Sequence, residues 1–162
     1  ALMELGALVC VPGAPHCEQC PLADLCRGRA AGRQAELPVK PAPRAKEQVP
    51  VTVALVYSPA GLLLQRRPAR GLLAGLWQPA AWEGSLEREE LAARLAQIGV
   101  SAAWEQALPP ARHVFTHKVW RLGGWRGRAP AVPLPEGWVW AAPHQLEQVY
   151  AVPNAYAAYL GR

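Results

Sequence analysis

The chain has 162 residues, 51% hydrophobic and 18% charged, with 17 Lys and Arg against 12 Asp and Glu for a net charge of +5. That length suffices for one ordinary domain with a small appendage. No apolar run of about eighteen residues occurs, which excludes a helical membrane span, and the modest positive balance permits a phosphate-bearing partner without requiring one.

The chain opens inside a helical pattern. Leu2, Leu5 and Leu8 with Val9 recur at helical spacing, yet no Ser, Thr, Asp or Asn precedes them to cap the first N–H groups. The pattern predicts the last turns of a helix that begins upstream, in a longer protein, with a frayed native N-terminus as the alternative.

Four cysteines follow as C-x6-C-x2-C-x5-C, at Cys10, Cys17, Cys20 and Cys26, and the chain has no others. Thiolates donate strongly to soft iron, and a loop returning four sulfurs over so short a stretch can hold one cluster unaided. Pro12, Gly13, Pro15 and Pro21 break regular structure between the ligands and let the backbone wrap. A four-thiolate zinc site and a pair of disulfides are the competing readings. Only Cys17 and Cys20 form a C-x2-C knuckle, where structural zinc usually takes two. A chain with this apolar content needs no disulfide staples. The spacing therefore favours an iron–sulfur loop, and cysteines confined to it suggest a reducing compartment: the cytoplasm of a prokaryote or the interior of an organelle. His16, beside Cys17, is a spare donor that a complete four-sulfur set does not need.

From Arg27 to Pro50 the composition shifts to prolines at 38, 41, 43 and 50 and basic residues at 27, 29, 33, 40, 44 and 46. Such a stretch is expected to run extended as a linker. Arg27 and Arg29, next to the cysteine loop, are its candidates for phosphate contact, with simple solvation as the alternative.

A second domain begins with the β-branched, apolar run 51–57, which predicts a strand covered on both faces. A turn at 58–61 leads to a partner strand over 62–67. Residues 71–79 (GLLAGLWQP) read as a loop with apolar anchors. Ser85 is the expected cap of a helix over 86–98, with Glu87, Glu89 and Glu90 at its positive end, Leu91, Leu95 and Ile98 on one face and Gly99 as terminator. Further strands are predicted at 114–120 and 138–141, separated by a Gly, Arg and Pro loop. Pro143 opens a short helix and 153–160 makes a last one. The succession defines an α/β (α+β) layered architecture.

These pieces resemble a known family. The ALMELGA run and the four-cysteine spacing resemble the iron–sulfur end of the helix–hairpin–helix DNA glycosylases, the spacing being shared with the endonuclease III branch. The strand order after residue 50 resembles the Nudix, or MutT-like, mixed-sheet sandwich, with GLLAGLW and the helix where that family keeps its catalytic box. Counting back from Gly99-Val100, the box glutamates fall on Ala93, Ala96 and Gln97, none of which offers a carboxylate to magnesium. Together the parts resemble the adenine DNA glycosylases of the MutY family. The resemblance implies residues 1–27 as the end of a helical glycosylase domain with a 4Fe–4S cluster on the four cysteines. It makes 28–50 a linker and 51–162 a domain that inspects 8-oxoguanine.

The resemblance also implies a substrate: duplex DNA with adenine opposite 8-oxoguanine or guanine, bound by a monomer in the bacterial cytoplasm near the nucleoid. It implies that the family's catalytic glutamate and aspartate lie upstream, so no catalytic residue is expected within this chain. The family's F-S-H reading loop matches Phe115-Thr116-His117, with Thr116 in place of serine. 8-Oxoguanine carries a hydrogen on N7 where guanine accepts, so its reader must accept there, and a hydroxyl does so. Thr116 is thus expected to bond the lesion, His117 to add a polar contact or orient the loop, and Phe115 either to wedge at the base step or to pack as a core aromatic. The seven tryptophans are read first as core, with Trp77 and Trp82 open to base stacking. His113 and His144 suggest no role. A zinc-stabilised nucleic-acid module and a Nudix pyrophosphatase are the alternatives.

Overall fold

The computed structural model describes residues 2–39, 41 and 45–161. It divides into two units, Ala1–Ala45 and Lys46–Arg162.

The first unit carries helix α1 (Leu2–Leu8), 3-10 turns at Cys17–Gln19 and Ala23–Leu25, helix α2 (Arg27–Ala30) and a further 3-10 turn at Gln34–Glu36. The expectation of an extended linker directly after Cys26 therefore needs correction. The Cys26 sulfur accepts the Arg29 N–H at 3.5 Å and starts α2, and an Arg33–Glu36 ion pair at 2.9 Å braces the next turn. Lys40, Ala42, Pro43 and Arg44 of the predicted linker lie outside the described residues.

The second unit is built on one mixed sheet. Its strands are β1 (Glu47–Ser58), β2 (Gly61–Arg66), β3 (Trp77–Glu83), β4 (Ala103–Ala107), β5 (Ala111–Val114), β6 (Lys118–Arg128) and β7 (Trp138–Ala141). The spatial order is β4-β6-β1-β3-β2-β7, and β5 also pairs with β6. β1 and β6 run parallel over eleven register pairs, from Glu47↔Lys118 to Tyr57↔Arg128. The other pairings are antiparallel.

Alternation along β1 sends Val51, Val53 and Leu55 to one core cluster and Ala54 and Val56 to another. This explains the unbroken apolar run of a strand covered on both faces. The first cluster holds Trp120 and Tyr156, packed beneath helix α4 (Pro143–Gln148) and the closing turns; the second lies under helix α3 (Arg88–Ala96), which contributes Leu91 and Leu95.

Several element bounds differ from those predicted, each for a tertiary reason. β1 starts at Glu47 because Glu47 and its successors find ladder partners in β6. Residues 77–79 are strand, not loop. Pro79 has no N–H to give a ladder, but it stands where β3 passes from pairing β2, through 77–79, to pairing β1, through 80–83. Helix α3 is shorter than predicted, and its cap is Glu87 rather than Ser85. The Thr52 hydroxyl accepts the Leu86 N–H at 2.9 Å and donates to the Gly84 carbonyl at 2.6 Å, so the chain is held just before the helix begins. The Glu90 carboxylate then accepts the Glu87 N–H at 2.9 Å.

The stretch 114–120 is a hairpin bend, not one strand, and β6 continues to Arg128 through the predicted glycine loop. Gly124, at φ +135°, lets β6 approach so closely that a Cβ there would collide with the Val53 backbone. The last predicted helix is a 3-10 turn, Asn154–Tyr156, followed by α5 (Ala157–Leu160). β4 was not legible in the sequence.

Candidate functional site

The β5–β6 hairpin presents residues 115–117 at its tip. The Phe115 N–H donates to the Lys118 carbonyl at 2.8 Å and closes the turn. Two bonds from the start of β1 hold the turn's backbone: Lys46 Nζ donates to the Phe115 carbonyl at 2.8 Å, and the Glu47 N–H donates to the His117 carbonyl at 3.1 Å. A Lys118–Glu47 ion pair at 3.2 Å joins the same strands. The Phe115 ring is half-buried and meets Trp120 edge-on at 4.9 Å and His113 at 4.6 Å. Trp120 is only 1% exposed, so Phe115 rests on the core. Thr116 and His117 are exposed. The turn therefore has a tethered backbone, a half-buried aromatic anchor and two exposed polar side chains.

Beneath it lies a polar group that sequence reasoning missed. Gln78 Oε1 accepts from Arg67 Nη1 and from the Tyr156 hydroxyl, both at 2.7 Å. Arg67 also stands over the Trp120 ring at 5.4 Å. Burial pushes the Tyr156 phenol well above its ordinary range, and the nearby Arg67 charge opposes that rise. The sequence signal was slight: a Gln within an apolar strand.

In the first unit, the His16 N–H bonds the Val9 carbonyl at 2.9 Å and folds the loop back beside Cys10. The four cysteines are free thiols, which disagrees with the disulfide reading, and all four line one cavity of about 70 Å³. Among the described residues, no three His, Cys, Asp or Glu side chains close tightly enough to hold a single metal ion. Four sulfurs lining one cavity are the donor set a multi-iron cluster takes. The Arg29 N–H on the Cys26 sulfur is the kind of hydrogen bond that stabilises a ligating thiolate. Arg27 and Arg29 are exposed.

Ala93, Ala96 and Gln97 are exposed where the box glutamates would stand, and Glu87, Glu89 and Glu90 crowd the helix start instead. Trp82, under Arg94 at 5.7 Å, and Trp138 pack as a tilted pair at 6.4 Å, while Trp77 meets Tyr150 edge-on at 5.0 Å. Trp77 and Trp82, both on β3, are thus engaged in packing.

Residues 52–162 match the NUDIX domain family, and residues 10–26 match the iron–sulfur binding domain of endonuclease III. The chain belongs to the Nudix-domain family, with an iron–sulfur loop of the 4Fe–4S type preceding that domain. Its homologues are adenine DNA glycosylases. The Homo sapiens protein is 29% identical over 202 residues, covering 86% of this chain and 36% of that protein. The Arabidopsis thaliana protein is 32% identical over 93 residues, covering 48% and 15%. This chain thus spans about a third or less of the length of these relatives. Among solved structures, it superposes on the C-terminal domain of mouse MUTYH, crystallised with human PCNA, with a TM-score of 0.50 and 27% identity over 66% of this chain and 81% of that one. The MutT protein of Methanosarcina mazei Go1 shares the fold, at a TM-score of 0.58 and 16% identity over 74% and 94%. Among the described residues no helix is long and apolar enough to cross a membrane.

Proposed function

We propose that this chain is the iron–sulfur and lesion-recognition part of an adenine DNA glycosylase that excises adenine paired with 8-oxoguanine or guanine. The observation that carries this reading is the turn at 115–117, whose backbone is pinned by Lys46 and Glu47 while Thr116 and His117 stay free. Thr116 accepts the lesion's N7–H or donates to O8, and His117 adds a second polar contact. Phe115 fixes the turn on Trp120. Cys10, Cys17, Cys20 and Cys26 hold the cluster, which supplies rigidity and no bond-breaking chemistry. Arg27 and Arg29, beside it, contact phosphate. No residue of this chain cleaves the glycosidic bond in this reading, so the chain binds the mispair without releasing adenine.

The test is binding to duplexes that differ only in 8-oxoguanine or guanine opposite adenine. Thr116→Ala with His117→Ala narrows the discrimination by about 1–3 kcal/mol. An equal loss of affinity for both duplexes would make the turn a phosphate clamp and remove the lesion-reading role.

A further inference from the structure

Arg112 and Arg121 are directly opposed in the β5–β6 ladder and share one face of the hairpin. Like charges facing each other across a ladder are destabilising, so the pair calls for a counter-charge. Among the described residues none is supplied. The ion pairs there join Arg33 to Glu36, Lys118 to Glu47, and Arg126 and Arg128 to Glu105. Arg121 donates only to a neutral group, Gln48 Oε1 at 3.1 Å, and Arg112 has no hydrogen-bond or ion-pair partner among these residues. Both are exposed, and both line an open cleft of about 710 Å³ whose other walls include Pro50, Thr52, Leu86 and Gly123. Its one carboxylate is Glu87, at the cap of α3.

We propose that this cleft seats the sugar–phosphate backbone of the duplex, with Arg112 and Arg121 each neutralising a phosphate to one side of the base being read. The proposal rests on the reading of residues 115–117 as a duplex reader and adds a footprint to it. Arg112 lies four residues before Thr116, and Arg121 lies four residues after His117. The Arg112–Arg121 rung lies three residues from the Phe115–Lys118 bond that closes the turn, so at roughly 3.3 Å per strand residue it stands about 10 Å away, or about three base steps at the duplex rise of roughly 3.4 Å. Guanidinium forks suit phosphate oxygens, and such contacts set register without reading sequence.

The experiment measures binding of the 162-residue chain to 8-oxoguanine:adenine, guanine:adenine and undamaged duplexes across a salt series. R112Q/R121Q weakens all three by the same factor, lowers the slope of log affinity on log salt by about 2, and keeps the discrimination ratio. R112Q, which breaks no bond within the protein, lowers the slope by about 1 and guards against a folding defect in the double variant. Unchanged affinity and slope in both variants would overturn the proposal. So would variants that keep duplex binding intact but lose binding of dGTP, titrated into the same three proteins, which would make the cleft a mononucleotide site. A parent chain with no preference for 8-oxoguanine would defeat the lesion-reading function instead, and the slope on undamaged duplex would still decide the phosphate contacts.

Discussion

Lys46 Nζ donates a 2.8 Å hydrogen bond to the backbone carbonyl of Phe115, 69 positions along the chain. The residue that leads into β1 thereby fixes the geometry of the candidate reading turn. Glu47 reinforces it through its own N–H on the His117 carbonyl. Thr116 lies between two tethered carbonyls, so its hydroxyl is presented without first having to order the backbone.

Lys46→Met removes that tether. The expected outcome is a loss of about 1 kcal/mol in discrimination between 8-oxoguanine:adenine and guanine:adenine duplexes, the size of one net hydrogen bond. Lys46→Arg retains most of it. The ratio of the two dissociation constants is the measurement; a variant that weakens both duplexes equally would show Lys46 to act only as a phosphate contact.

Gly124→Ala places a Cβ against the Val53 backbone, in the parallel β1–β6 pairing that forms the middle of the sheet. A destabilisation of at least about 1–3 kcal/mol is expected. At Gly123 an added Cβ meets nothing within 4 Å, and the alanine there should cost no more than about 1 kcal/mol. Urea midpoints of the two variants provide the comparison.

Tyr156 gives the fold an alkaline limit. Its ordinary pKa is 10.0 and burial raises it in the folded chain. Below about pH 10 the phenol is protonated in both states and contributes no pH dependence. Above that value the unfolded chain loses the proton while the folded chain keeps it, so stability falls by up to about 1.4 kcal/mol per pH unit. Tyr156→Phe loses that part of the slope, together with about 1 kcal/mol from its bond to Gln78. Tyr159, also raised by burial, keeps its own smaller share in both proteins. Unfolding curves at about pH 9 and about pH 11 separate the contributions.

Cys17→Ser removes one wall of the sulfur-lined cavity. Iron per chain should fall from about four to near zero, with loss of visible absorption. The unfolding transition of the second unit should stay within about 0.5 kcal/mol of the parent. One zinc per chain in the parent protein would contradict the cluster assignment.

The sequence by itself determined whatever depends on residue identity at close spacing. Four sulfurs within one short loop point to a metal site, and Ala93, Ala96 and Gln97 stand at the positions where the Nudix box glutamates are expected. The β-branched run 51–57 declares a central strand, because a period visible over a few residues needs no knowledge of the partner. Tertiary structure decided what depends on pairing across distance. Pro79 lies within a strand because β3 changes partners beside it, and Thr52 sets the start of α3 from another strand. Lys46 clamps a turn far along the chain, and Arg112 faces Arg121 only through the β5–β6 register. No local pattern encodes which backbone group or like charge a folded neighbour will bring alongside, since those contacts arise only when the sheet closes.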